Sequence, residues 1–389
     1  MKKSSIWLWT LAAFFAFFVF GYSDNLKGPI MPALLADLHF DYAMGGTILL
    51  GIYVGFMIAT LTTGLIADML GKKAVLLTAG ACLTLGISGY SSFSAPLALG
   101  FSMTILGFGL GALELGCNAL IVELHPTDKV RYLNLMALMH GMGSMAAPLA
   151  TGLLLAASYS WRTVYRLDLI FVAFLILYVS LNHYPAGASA PSEKIDFKHL
   201  GRAAFTPRLV WFYLSIALYV ATEIGLASWL VEYLQKIRLQ SVEQSTQALS
   251  QYFGLMMAGR FLGSFVIDRL GHLKSILVAM LAACVTIAIG LFGPALALSL
   301  SGLFLSIVFP TITASVSDGL TENTNSILGL LFTFAGLGGM LGPWLVGLAS
   351  HWFGIGIGFG LPLGFAVLTT LAILTLFRLA PHPQQKQPA

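Results

Sequence analysis

Gly64-Leu65-Ile66-Ala67-Asp68-Met69-Leu70-Gly71-Lys72-Lys73 separates two long apolar runs, and Ser264-Phe265-Val266-Ile267-Asp268-Arg269-Leu270-Gly271-His272 does the same 200 residues later. Both passages carry Asp-x-x-Gly followed by a basic or titratable side chain. A second pair, Ala147-Pro148-Leu149-Ala150-Thr151-Gly152 and Gly342-Pro343-Trp344-Leu345-Val346-Gly347, lies 195 residues apart, about half of the 389 in the chain. One unit therefore occurs twice.

Composition identifies the medium in which that unit folds. The chain is 58% hydrophobic and 9% charged, against roughly 25% charged residues in ordinary soluble proteins. Apolar runs long enough to cross about 30 Å of hydrocarbon as helix recur at 6–33, 44–67, 73–94, 97–123, 131–157, 164–183, 208–236, 246–267, 274–293, 296–317, 325–350 and 354–379. The expected fold is an all-α polytopic membrane protein, with twelve transmembrane helices in two pseudo-symmetric six-helix bundles. The bundles occupy residues 1–183 and 208–389, the latter with a short tail, joined by a cytoplasmic linker at 184–207. That linker is the longest polar interval and is rich in Pro, Gly and Ser. The first run is too long for a signal peptide and lacks a small-residue cleavage pattern at Lys27-Gly28-Pro29, so it is read as retained.

Lys and Arg set the orientation. With the N-terminus cytoplasmic, fourteen fall in inside segments, Lys72, Lys73, Lys129 and Arg131 among them, and four in outside segments: Arg162, Arg166, Lys236 and Arg238. This bias places both termini in the cytoplasm of a multi-pass protein of a bacterial inner or plasma membrane. The net charge of +4 is a topology signal, and no basic domain suggests nucleic acid. The three cysteines, Cys82, Cys117 and Cys284, fall inside apolar runs, which argues against a disulfide framework or a metal site. The lipid bilayer is the one obligatory partner, and a functional monomer is expected.

Within this apolar chain a few polar residues stand out. Glu114 sits in Gly109-Leu110-Gly111-Ala112-Leu113-Glu114-Leu115-Gly116-Cys117-Asn118 with no cation nearby in sequence. An ionisable group at the bilayer centre costs at least about 2.5 to 3.5 kcal/mol, so it normally faces a cavity and marks a substrate or proton path. Asn118 is four residues on and shares the same helix face. The fourth and fifth crossings run in opposite directions, which brings His140 to the depth of Asn118, with Glu114 one turn deeper. His140 has two open readings: proton exchange with Glu114, or a neutral interhelical hydrogen bond. Glu223 lies near the middle of the seventh crossing, where carriers commonly bind their solutes. Asp24 and Lys27, spaced i,i+3, form either a local ion pair or a coupling carboxylate beside an anion contact. Asn25 is counted with the substrate contacts. Trp229, two turns beyond Glu223, is either a packing residue or a platform for a sugar ring. Arg260 is placed near the cytoplasmic end of the eighth crossing, where it snorkels or pairs with the Asp268 loop.

In the two related loops glycine permits a tight turn, and Asp68 is placed to cap a helix end beside Lys72 and Lys73. Such a cluster is either a static pair at the membrane edge or a latch that releases in a second conformation. Its duplication favours the latch, with Asp68, Lys72, Lys73, Arg260 and Asp268 as gating candidates.

These features resemble the major facilitator superfamily, through the two groups of six runs, the central cytoplasmic loop and Gly-x-x-x-Asp-x-x-Gly-Lys-Lys at Gly64 to Lys73. Shorter passages look like its fucose/proton and glucose/proton symporter branch: Gly109 to Glu114 with Asn118, Leu133-Asn134-Leu135 leading to His140-Gly141-Met142-Gly143, Tyr219-Val220-Ala221-Thr222-Glu223 with Ser228, Gly259-Arg260-Phe261-Leu262-Gly263, and Phe309-Pro310-Thr311-Ile312. The resemblance implies that Glu114 binds substrate and couples protons, that Asn118 assists it, and that Glu223 hydrogen-bonds a hydroxylated solute. Two positions depart from the branch. His140 stands where a substrate-facing Asn is found, and Gly28 stands where the first helix carries a protonatable Asp, leaving Asp24 one turn earlier.

No Gly-x-x-x-x-Gly-Lys-Ser/Thr is present, and no nucleophile and base pair stands out. Neither an enzyme nor an ATP-driven pump is expected, and no cofactor. The leading expectation is a secondary active transporter of a small polar solute, a sugar above all, working by alternating access with proton or other ion coupling. The alternatives are a proton-driven efflux antiporter for amphipathic compounds, suggested by Pro148 and Gly152, and a carrier of a small organic acid. A non-transporting receptor is disfavoured by the midspan acids.

Overall fold

A computed structural model describes residues 3–184, 204–318, 320 and 324–379. Among the described residues the chain forms helices and no strand, as it must where hydrocarbon offers backbone N–H and C=O groups no partner outside the segment itself. In the first bundle α1 (Lys3–Asp24) and α2 (Lys27–Leu38) share one crossing, followed by α3 (Tyr42–Leu70), α4 (Lys72–Tyr90), α5 (Pro96–Leu124), α6 (Lys129–Ala156) and α7 (Trp161–Leu181). The second bundle holds α8 (Pro207–Lys236), α9 (Val242–Leu270) and α10 (His272–Phe292). Its tenth crossing is α11 (Leu296–Leu305) with α12 (Val308–Ser317), its eleventh α13 (Thr324–Phe353), and its twelfth α14 (Ile355–Gly358) with α15 (Leu361–Leu379).

Twelve crossings result, but the first, tenth and twelfth are broken where the sequence predicts unbroken runs. Eleven of the crossings are apolar enough to span a membrane on composition alone. The remaining helix, α9, is 29 residues long but carries Glu243, three glutamines, Arg260, Asp268 and Arg269. The predicted linker at 184–207 lies, apart from its ends, outside the described residues.

The duplication read from sequence is visible in the packing. In the first bundle α1 packs on α6, α3 and α4 on α5, and α4 on α7; in the second, α8 packs on α13, α9 and α10 on α11, and α10 on α15. Each pair is the repeat of its counterpart. The two Asp-x-x-Gly loops make the same turn: Gly71 at φ 83° and Gly271 at φ 75°. Only glycine adopts that backbone without strain. Each amide closes the preceding helix, on Ala67 O at 2.9 Å and Ile267 O at 2.8 Å.

The second repeated motif has a different use. Gly152 and Gly347 are points where helices of opposite bundles come close. A Cβ on Gly152 of α6 would stand 2.0 Å from Thr246 Oγ1 of α9, and one on Gly347 of α13 would stand 2.6 Å from Tyr42 O and 3.0 Å from Gly46 Cα of α3. Small residues at helix contacts let backbones approach this closely. Ser250 Oγ adds a bond to Met145 O at 2.8 Å, Tyr42 donates to Glu232 at 3.0 Å, and His351 meets Asp41 at 3.2 Å. All of these lie toward one end of the molecule. About five turns further along these helices, toward the end where the Gly71 and Gly271 loops lie, a Cβ on Gly64 of α3 or Gly329 of α13 would meet nothing within 4 Å. The bundles are joined at one end and parted at the other.

Gly347→Ala should pry the closed end apart, because it meets two backbone atoms, Tyr42 O and Gly46 Cα, and the buried Trp229 ring, none of which can swing away. The check is maleimide labelling at Ser250→Cys, in a parent whose three native cysteines are replaced by alanine. Labelling should rise several-fold when Gly347→Ala is added, and an unchanged rate would show that the seam does not depend on this contact.

Candidate functional site

The first crossing breaks at Asn25 and Leu26, and the side chains around the break take over the lost backbone bonds. The Lys27 ammonium pairs with the Asp24 carboxylate and donates to Asp24 O at 2.8 Å. Lys27 is 4% exposed, so without Asp24 it would be an uncompensated buried charge. Asn25 Nδ2 donates to Gly21 O at 2.9 Å and to Ser144 Oγ of α6 at 3.0 Å. Ser144 in turn donates to His140 O at 2.9 Å, with His140 Nδ1 at 3.5 Å. Asn25 and His140 thus belong to one hydrogen-bonded chain linking α1 to α6.

Asp24 is the electrostatic centre of a wider group. Its carboxylate acts on Glu114 of α5, on His140 of α6 and on Glu223 of α8. Glu114 and Asn118 are half-buried, one turn apart on α5. On the opposite wall Tyr219 lies beside Glu223, Tyr252 of α9 donates to Glu223 O at 3.4 Å, and Lys27 Nζ stands 5.5 Å from the Tyr53 ring centre. The sequence-predicted residues Asp24, Asn25, Glu114, His140 and Glu223 therefore share one region, below the closed seam, and Asn118 lies one turn from Glu114 along α5. No hydrogen bond joins Glu114 to His140 among the described residues.

Three residues stand elsewhere than the sequence reading placed them. Arg260 is not at the membrane edge with the Asp268 loop. Its guanidinium acts on Glu223, Tyr219, Tyr252 and His140. It contacts Met256 Sδ at 3.9 Å and forms no ion pair among the described residues. Trp229 does not reach the cleft: it is 0% exposed, its Nε1 donates to Pro343 O at 2.9 Å, and its ring packs against Tyr42 in the seam. Asp68 is exposed and pairs with neither Lys72 nor Lys73. Lys72 pairs instead with Glu123 at the end of α5, and Lys73 donates to Ser180 O and Asn182 O at 3.0 and 2.9 Å. Asp268 lies in α9, and its side chain is outside the described ones.

Two residues passed over in the sequence have clear places here. Glu123 binds Lys72 and accepts from Tyr184 at 2.8 Å. In the second bundle His272 meets Asp318 at 3.5 Å, the repeat of the same contact. Asp168 is fully buried in α7. Its signal in the sequence was weak, since it stands near the start of its apolar run and two residues after Arg166.

The Major Facilitator Superfamily model matches residues 13–333 of the chain. The chain belongs to that superfamily. It is 24% identical over 370 residues to a glucose/galactose transporter of Brucella abortus, covering 89% of this chain and 88% of that protein. It is 22% identical over 350 residues to the L-fucose-proton symporter of Escherichia coli, covering 79% of each. Among solved structures a nucleoside transporter superposes with a TM-score of 0.82 at 15% identity, over 96% of this chain and 99% of that one. A superfamily transporter is thus the frame for these side chains: a multi-pass membrane carrier of small solutes and not an enzyme.

Removing one member of a buried ion pair costs about 3 to 5 kcal/mol, whereas removing both can be nearly neutral. Lys27→Met should therefore lower the melting temperature of the detergent-solubilised protein by several degrees, and Lys27→Met with Asp24→Asn should recover most of the loss. If both variants melt with the parent, the pair has no part in holding the helix break.

Proposed function

We propose that this superfamily member is a proton-coupled carrier of a small hydroxylated solute of the sugar class. What supports the reading above all is the cleft head, where Asp24, Glu114 and Glu223 interact electrostatically and, among the described residues, only Asp24 has an ion-pair partner. Two further acids in a low-dielectric cleft, opposed by the single guanidinium of Arg260, leave one negative charge over. A bound proton removes it. Asn118, Asn25 and His140 offer the hydroxyl-binding groups, and the relatives that carry glucose, galactose and fucose names supply the class of solute.

The excess of Lys and Arg on the side of the termini puts that side in the cytoplasm, so the open end of the cleft faces inward and the Gly152 and Gly347 seam faces out. In this cycle the carrier works as a monomer in the cell membrane. The Lys72, Lys73 and Glu123 cluster, Asp68 and the Asp268 loop lie at the parted end, where they would meet when the bundles rock and the cleft opens outward. Trp229 serves the outer seam, and it reaches solute only if that seam opens.

A second reading is favoured by Arg260 alone. An unpaired guanidinium in a cleft binds carboxylates well, and a small organic acid is the solute it would select.

Protein reconstituted in liposomes and offered D-glucose, D-galactose or L-fucose should acidify the lumen as solute enters. Glu114→Gln should lose that acidification while retaining solute exchange across the membrane. Uptake indifferent to an imposed pH gradient, with Glu114→Gln fully active, would remove the proton-coupled reading. Uptake of carboxylates alone, abolished by Arg260→Gln, would establish the second.

A further inference from the structure

Asp168 is used by nothing described above. It lies in α7, seven residues after Trp161, with 0% of its surface exposed. Ser23 Oγ of α1 is the one hydroxyl that faces the carboxyl, and the pair stands too loosely for a well-formed hydrogen bond; neither carboxyl oxygen has another partner among the described residues. The groups around it are Tyr22 and Ser23 on α1 and Tyr165 on its own helix, with Tyr90 of α4 beyond Tyr165. No cation among the described residues acts on it. An ionised carboxylate so placed would forfeit its hydration for no more than one loosely placed hydroxyl and no counter-charge. The pocket accepts the neutral acid.

Its position relative to the break in the first crossing gives that proton a way out. Ser23 and Tyr22, which cover Asp168, are the last residues of α1 before Asp24 and the turn at Asn25 and Leu26. Beyond the turn, α2 is attached to the second bundle: a Cβ on Gly28 would stand 2.5 Å from Ala227 O of α8. Any rocking of the second bundle is therefore transmitted to α2, and the chain yields where its helix is already broken, next to the cover over Asp168. Tyr165 links the two sides, since it feels both Asp168 and Asp24.

We propose that Asp168 is a second proton-binding site of the carrier, set behind the break in the first crossing and loaded and unloaded as α2 moves with the second bundle. The step makes and breaks only O–H bonds. The proton passes from Asp168 to water admitted beside Ser23, thence to the cleft at Asp24, and the Ser23 hydroxyl turns to donate to the carboxylate left behind. This inference rests on the proton-coupled reading but is tested separately, because proton occupancy can be read without any transported solute.

The test is infrared spectroscopy of the purified full chain with carbon-13-labelled aspartate, between about pH 5 and pH 9, the range in which buried carboxyls titrate. The wild type should show a protonated aspartate band that titrates and shifts in heavy water. Asp168→Asn, close in shape to the neutral acid, should lose that band, and Ser23→Ala should displace its titration midpoint. A titrating band that survives Asp168→Asn would overturn the proposal. So would an Asp168 band that neither titrates nor exchanges, the mark of a permanently protonated structural acid; the wild type alone reveals it if the variant fails to fold. Solute-driven acidification can fail while this band behaves as expected, and the reverse, so the two readings fall independently.

Discussion

A helix interrupted inside a membrane has to find partners for the carbonyls it frees, and in this chain one lysine does much of that work. Lys27 donates to Asp24 O while its charge is balanced by the Asp24 carboxylate. Asn25 takes a second carbonyl, Gly21 O, and carries the connection to α6 through Ser144. Non-helical backbone at this depth survives only when it is enclosed by protein or lines a polar cavity. The break therefore fixes where the polar centre of the molecule is, and the remaining acids are arranged around it. Asp24 is tied to the backbone on one side and acts on Glu114, His140 and Glu223 on the other.

The repeat supplies this centre with two matched walls, though evolution has kept its elements unequally. The Pro148 to Gly152 and Pro343 to Gly347 passages both become close contacts between bundles, one on each side of the pseudo-twofold axis. The loops keep the same glycine turn but differ in chemistry. Lys72 pairs with Glu123 while Lys73 adds bonds to Ser180 O and Asn182 O, whereas the corresponding contact of the second bundle is that of His272 with Asp318 at 3.5 Å. The first bundle's loop is consequently tied down more firmly than the second's.

Much of this was legible in the sequence. The number of crossings, the duplication and the depth of Glu114, Asn118, His140 and Glu223 all follow from run lengths and alternating direction, and Glu114, His140 and Glu223 all lie within the field of Asp24. What spacing could not supply was azimuth, the direction a side chain leaves its helix. Trp229 is at a suitable depth yet points into the seam, because Gly45 and Gly347 leave room there for an indole. Arg260 was placed by its nearness to the Asp268 loop, but it lies three residues beyond Met257, which packs against Gly141 at the last contact of the seam, and so stands at the head of the cleft. Depth predicted Arg260 poorly because a long side chain reaches more than a turn along the helix axis. The partner of Lys72 was missed for another reason: Asp68 is near in sequence, whereas Glu123 comes from the far end of α5. Shifting Lys72 by 200 and Glu123 by 195 gives His272 and Asp318, so the repeat itself held that contact.

The distribution of charge gives the proposed cycle its direction. At the head of the cleft Lys27 and Asp24 cancel, leaving Arg260 to face Glu114 and Glu223. One added positive charge brings that group to neutrality, and a neutral group is the one that can be enclosed away from water most cheaply. When the parted end closes, the cleft must be either fully loaded or free of unbalanced charge. A proton arriving with a neutral solute satisfies this condition, while a carboxylate solute satisfies it only if it brings two protons or a second cation with it. Under the proposed cycle, the same electrostatic requirement that places Asp24 beside Lys27 would therefore distinguish the candidate cargoes: a neutral hydroxylated solute would need one proton, and an anion more.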